Sequence, residues 1–443
     1  MRRIVLALLL MGFATPVTAR TPMEDAALCK STNPDTVITA CTALLRFPGL
    51  AKAERPVLIN NIGLAYYHKG NLDLAISAFN ESLALKPGVA VTLNNRGIAY
   101  DGKGLYDLAL ADLDRAIQLS PNMPRALENR ATVLAHKGDY DRALSDLKRA
   151  LASEPNAATA LSTRAAIYER QGRYNEALTD VSRAIALKPD LLDAFDLRSE
   201  IYTQNGSFDL AIADANQALR INPNDAKAYN FRGYSYSHKG AKAQASADYN
   251  QAISLDPKLL DAYNNRGLDY DQTGLFDSAI ADFNKVLAAK PDNAVVLNNR
   301  GLAYYHRGDY DLSIADLNEA LILNPKLVQA YGNRGLAYNN KGLYDQAIAD
   351  YNQALAVSPN DGLALNNRGL AYANKGANDL SMADFDRAIA VQPDLAVAYF
   401  NRAIVRYRKG LKDPAIADLR KALALDPSMS VARESLMKLG VTP

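Results

Sequence analysis

The chain of 443 residues is 49% hydrophobic and 22% charged, with two cysteines and no tryptophan, which excludes a disordered chain, a disulfide-dense scaffold and a multi-span membrane protein. Lys+Arg number 50 against Asp+Glu 48, and residues 1–19 hold Arg2, Arg3 and no acid, so the remainder balances at 48 against 48. A neutral chain without basic runs lacks the field that gathers phosphate backbones, and no nucleic-acid partner is expected.

Met1-Arg2-Arg3 precedes Ile4 to Phe13, an uncharged apolar run, and then Pro16 and Val17-Thr18-Ala19. A positive start, an apolar core too short to span a bilayer comfortably and small residues before Ala19 predict a signal peptide over residues 1–19 of a simple bacterial kind. The mature protein is then expected in the periplasm or outside the cell, with no stable membrane insertion; a retained amino-terminal anchor is the alternative. In an oxidising compartment Cys29 and Cys41, twelve apart on short helical segments separated by Asn33-Pro34, are expected to form a disulfide within a helical cap over residues 20–55. Zinc would need further ligands, and none is nearby in sequence.

From Pro56 to Met429 the chain repeats. Prolines stand at 87, 121, 155, 189, 223, 257, 291, 325, 359, 393 and 427, and glycines at 70, 104, 138, 172, 206, 240, 274, 308, 342, 376 and 410, both at a constant period of 34. These define eleven units without an insertion. With Pro56 as position 1, positions 4, 8 and 11 carry apolar, small or aromatic side chains such as Tyr263, Gly267 and Tyr270, and positions 20, 24 and 27 carry the likes of Ala347, Tyr351 and Ala354. This is helical spacing, and each unit is predicted to be two amphipathic helices. Gly at position 15 ends the first helix and Pro at position 32 follows the second, while small residues at positions 8 and 20 let the pair approach closely.

Ala330-Tyr331-Gly332-Asn333-Arg334-Gly335-Leu336-Ala337-Tyr338, then Gly342-Leu343-Tyr344-Asp345-Gln346-Ala347-Ile348-Ala349-Asp350-Tyr351 and Pro359, resembles the tetratricopeptide repeat family, and the resemblance extends from Pro56 to Met429. It implies an all-α, right-handed superhelical solenoid of eleven 34-residue helix-turn-helix repeats. The first helix of every repeat would build the concave wall. Residues 20–55 and a single helix within 430–443 would cap the two ends.

Eleven copies serve as an internal alignment. Position 7 is Arg in repeats two to eleven (Arg96, Arg130, Arg164, Arg198, Arg232, Arg266, Arg300, Arg334, Arg368, Arg402), and position 23 is Asp in the same ten (Asp112, Asp146, Asp180, Asp214, Asp248, Asp282, Asp316, Asp350, Asp384, Asp418). The first repeat has neither, carrying Ile62 and Ala78. Paired presence and absence predict an ion pair joining the two helices of a repeat; arginines that bind an anionic ligand are the competing reading. Position 6 is Asn in eight repeats, including Asn265, Asn299, Asn333, Asn367 and Asn401, although Asn costs up to about 0.7 kcal/mol against Ala in a helix interior. The array is similar to the asparagine ladder with which superhelical members of the family hold extended peptides, a carboxamide offering donor and acceptor together. Plain family consensus kept for solubility is the other reading. Position 9 adds Leu268, Leu302, Leu336, Leu370 and Ile404 beside that ladder. Repeats four to six break the pattern with Thr163, Leu197 and Phe231, as a differently shaped pocket or as drift.

All four histidines, His68, His136, His238 and His306, fall at position 13, too far apart to share a metal, and no insertion exists to house a catalytic site. No metal, cofactor or enzymatic activity is expected. The function expected is a protein-interaction scaffold of the cell envelope, gripping an extended peptide or protein segment in the concave groove through the ten Asn, Leu and Ile side chains of repeats seven to eleven. The competing functions are a regulatory subunit of an envelope enzyme, such as a polysaccharide-building complex, and a structural protein that assembles end to end.

Overall fold

The computed structural model describes residues 20–442 and contains twenty-five helices and no strand among them. The signal peptide expected over residues 1–19 lies outside the described residues. None of the described helices is long and apolar enough to cross a membrane. The chain divides into two units, one ending at Ile201 and one beginning at Tyr202, each built from successive helical hairpins.

Repeat nine shows how one period folds into one hairpin. Its first helix, Val328–Asn340, stops at Gly342, where φ is +76°, a backbone conformation glycine adopts without a Cβ penalty. There the amide of Leu343 bonds the Tyr338 carbonyl at 2.9 Å and that of Gly342 bonds Asn339 at 3.0 Å, the paired bonds of a Schellman motif. The second helix, Tyr344–Val357, runs until Ser358 leaves the helical conformation (φ −123°, ψ 78°) ahead of Pro359, which has no amide hydrogen to carry the helix on.

Between the two helices, Gly335 faces Tyr351. A Cβ on Gly335 would stand 2.8 Å from the ring, and Tyr351 is only 1% exposed, so glycine sets the interhelical distance here. Gly267 against Phe283 and Gly369 against Phe385 repeat the arrangement. The core itself is shared between neighbours: Phe283 of repeat seven, Leu297 of repeat eight and Ala330 of repeat nine belong to one buried cluster. Each repeat therefore leaves an apolar face that the next must cover.

At the amino end Thr21 and Glu24 form a capping box, and Pro22–Leu28 is followed by Pro34–Leu45, with Asn33 accepting from the Thr36 amide at 3.0 Å. The sulfurs of Cys29 and Cys41 lie at disulfide distance, with Cα atoms 5.2 Å apart, buried among Val37, Ala40, Leu44 and Ala65. At the other end Ser430–Lys438 buries Ala432 and Leu436 against Ala403, Leu419 and Ala422.

Gly335→Ala should lower the thermal midpoint: overpacking against the buried Tyr351 ring costs about 1–3 kcal/mol, outweighing the roughly 1 kcal/mol that Ala gains in helix propensity. A rise in midpoint on thermal unfolding would show that the helices can separate at no cost.

Candidate functional site

The arginines at position 7 are spent on the fold. Arg300 donates from Nε to Asp316 Oδ2 at 2.6 Å and from Nη2 to Oδ1 at 2.8 Å, a bidentate pair between the two helices of repeat eight. Its remaining arm, Nη1, donates to Asn284 Oδ1 at 2.6 Å on the second helix of repeat seven. The same three-armed geometry recurs at Arg96, Arg130, Arg232, Arg266, Arg334, Arg368 and Arg402, whose third arms reach Asn80, Asp114, Asn216, Asn250, Asn318, Asn352 and Asp386. In repeat four the preceding position holds Lys148, and Arg164 keeps the bidentate bond to Asp180. Asp316 is 8% exposed, and hydrogen bonding to it holds the Arg300 guanidinium above its usual pKa against the opposing effect of desolvation. Such arginines are structural clasps, which favours the ion-pair reading of the sequence over anion binding.

The position 6 carboxamides bond the position 5 carboxamides of the preceding repeat. Asn333 Nδ2 donates to Asn298 Oδ1 at 2.9 Å, Asn298 Nδ2 to Asn299 Oδ1 at 3.3 Å, and Asn299 Nδ2 to Asn264 Oδ1 at 3.1 Å. Asn265 donates likewise to Asn230 at 3.1 Å, and Asn401 to Asn366 at 3.0 Å. The acceptors Asn230, Asn298 and Asn366 at position 5 are buried, 2–7% exposed, so their carbonyls require these donors. Position 5 is the half of the ladder that sequence reasoning misses, although the doublets Asn264-Asn265, Asn298-Asn299 and Asn366-Asn367 carry it. The helix-propensity cost of Asn is offset by bonds that stitch repeat to repeat.

The ladder has one break in this stretch. Position 5 of repeat nine is Gly332, so Asn367 Nδ2 has no acceptor among the described residues, while its Oδ1 accepts from Asn366 at 3.1 Å. A Cβ at Gly332 would meet nothing within 4 Å, leaving open space beside Asn367.

Asn265, Asn299, Asn333, Asn367 and Asn401, with Leu268, Leu302, Leu336, Leu370 and Ile404, are all partly exposed, on the first helices of five successive repeats within the second unit. Each carboxamide has two N–H groups and a carbonyl with two lone pairs, so one bond to the preceding repeat leaves capacity for a ligand. The arrangement offers periodic amide groups beside periodic apolar contacts.

Histidines sit at the ends of first helices and pair locally: His136 Nδ1 lies 2.8 Å from Asp101, His306 Nδ1 lies 3.0 Å from Asp271, and His238 Nδ1 lies 3.0 Å from the Tyr234 carbonyl. A polar cluster unnoticed in the sequence joins repeats six and seven, with Lys242 Nζ 3.0 Å from both Ser237 Oγ and Asp269 Oδ1. Lys242 stands where most repeats carry an aromatic residue and Asp269 where most carry an aliphatic one, departures visible in the internal alignment. Within the first unit, where the ladder stops at Ser162 and Thr163, the first helices wall a cavity of about 640 Å³.

Models of the tetratricopeptide repeat match residues 56–89, 96–167, 134–201, 192–225, 226–259, 264–327, 328–361, 363–395 and 396–429. The chain belongs to the tetratricopeptide repeat family. No curated protein sequence matches it. Among solved structures, that of the APC/C hetero-tetramer Cut9-Hcn1 is similar over 94% of this chain and 98% of that one, at 15% identity and a TM-score of 0.57, a likeness of fold. A tetratricopeptide repeat protein from Parabacteroides merdae is similar over 56% of this chain and 97% of its own, at 24% identity and a TM-score of 0.48. Yeast Tom70 is similar over 87% and 95%, at 15% identity and a TM-score of 0.43.

Arg300→Ala should destabilise the chain by about 3–5 kcal/mol, because Asp316 is left buried and unpaired; urea unfolding with an unchanged midpoint would refute the clasp. Gly332→Asn should act in the opposite direction, placing a carbonyl within reach of Asn367 Nδ2 and raising stability by roughly 0.5–1.5 kcal/mol. A fall in midpoint for that variant would mean the ladder contributes nothing between repeats.

Proposed function

We propose that this protein is a non-catalytic scaffold of the bacterial cell envelope that binds an extended peptide or protein segment along the first helices of repeats seven to eleven. The tetratricopeptide fold implies protein partners. The observation that carries the peptide reading is the register of the ten partly exposed side chains, Asn265 to Asn401 and Leu268 to Ile404, each kind recurring once per repeat. A polypeptide is itself periodic in backbone donors and acceptors, with side chains alternating between them, and such a surface meets it at several equivalent points. The half-used carboxamides would take the backbone, and the aliphatic row the side chains. Because the ladder also joins repeats, peptide capture would add contacts across the same joints that the carboxamides already hold.

An envelope location rests on the apolar segment Ile4 to Phe13 behind Arg2 and Arg3 and on the close approach of Cys29 and Cys41. The partner is therefore to be sought in that compartment.

The leucines provide the cleaner test, since changing them leaves the ladder in place. Mature protein beginning at Arg20 should be recovered from the periplasmic fraction and should capture a partner from periplasmic extract. The triple variant Leu302→Gln, Leu336→Gln, Leu370→Gln should keep its helical circular dichroism and bind that partner at least about tenfold more weakly, the equivalent of roughly 1.4 kcal/mol. Equal binding would remove the groove of repeats seven to eleven as the contact surface.

A further inference from the structure

The cavity of about 640 Å³ in the first unit lies within the usual size of small-ligand sites and is chemically unlike the asparagine groove. The first helices of repeats three and four and the start of repeat five wall it, and Tyr106 and Tyr140 stand at one end. Three basic side chains line that end, and two already have acidic partners: His136 lies 2.8 Å from Asp101, and Lys137 Nζ donates to Asp107 at 2.5 Å. Arg170, exposed at the end of its helix, has no acidic partner among the described residues. Asp193, also without a cationic partner among them, lines the cavity near the start of the next first helix. Arg170 is position 13 and Asp193 position 2, a separation of roughly 16 Å along the helices at 1.5 Å per residue. Between them Ser162 and Thr163 present partly exposed hydroxyls that bond no described protein group.

We propose that this cavity binds a short uronic-acid oligosaccharide, with a ring carboxylate on Arg170 and ring hydroxyls on Ser162, Thr163 and Asp193. Hydroxyl groups donate and accept alike, so a wall of serine and threonine matches a sugar, whose hydroxyls do the same, without fixing an alternation of donors and acceptors. A peptide backbone imposes that alternation, and the carboxamides that would meet it are absent from this lining. Tyr106 and Tyr140 supply rigid, half-apolar surfaces for the carbon face of a ring. The free guanidinium holds one carboxylate bidentately, and Asp193 at the far end accepts hydroxyl hydrogens. The site is separate from the peptide groove, and neither proposal depends on the other.

Isothermal titration of the full mature chain with trigalacturonate, with neutral cellotriose and with a triglutamate peptide decides the matter. Trigalacturonate should bind, cellotriose should bind at least about tenfold more weakly, and Arg170→Gln should remove most of that difference, since a charge-assisted bidentate contact is lost. Thr163→Val, which keeps shape and removes a hydroxyl, should weaken trigalacturonate several-fold, whereas Asn333→Ala should leave it unchanged. Absence of trigalacturonate binding, equal binding by Arg170→Gln, or binding of triglutamate in preference to the sugar would each overturn the assignment. In the last case the cavity would be a second peptide site.

Discussion

A guanidinium held by three helices is the interaction on which the repeats depend. Arg300 bonds Asp316 on its own second helix through two parallel bonds and Asn284 on the preceding one through a third. The planar fork fixes direction as well as distance, which an ammonium group could not do. Burial makes the arrangement demanding, because a carboxylate 8% exposed is stable only while its partner is in place. Recurrence of the fork turns a set of hairpins into stacks with defined spacing. Apolar burial supplies the drive, but small residues such as Ala347 and Ala354 pack with less directional preference than a bidentate bond.

Upon that frame the first helices carry a second polar network with a different task. The fork links second helices to first helices, whereas the asparagine ladder links first helices to one another, from position 6 of one repeat to position 5 of the last. Its bonds are neutral, each contributing about 0.5–1.5 kcal/mol, and its outer members remain partly exposed. In the proposed function, stability and recognition draw on the same groups. A ligand that bonded the exposed edges of the carboxamides would stiffen the joints between repeats, coupling capture to the curvature of the stack within that unit. The break at Gly332 makes Asn367 the member of the proposed binding stretch with its amide least committed.

Neither network reaches evenly into the middle repeats. There Lys148 replaces the third-arm acceptor of Arg164, and Ser162 and Thr163 replace the carboxamides. These substitutions coincide with the cavity of the first unit, which Ser162 and Thr163 line. A solenoid whose repeats contact only their neighbours tolerates such local departures, since a change in one joint is not transmitted to a common core.

The sequence by itself determined what lies inside a repeat. Helix limits followed from glycine at position 15 and proline at position 32, and the clasp of Arg300 and Asp316 followed from the joint presence of Arg and Asp in ten repeats and their joint absence from the first. Partners on the two helices of one hairpin keep a fixed sequence separation of sixteen, so a periodic chain displays them as a correlated pair. Tertiary structure decided what happens between repeats. That Asn333 meets Asn298, thirty-five back in the chain and one position out of register, depends on how neighbouring helices are rotated, which a period of 34 does not specify. The cavity beside Arg170 is a volume that no side chain fills, and space left empty by stacking has no residue of its own in the sequence.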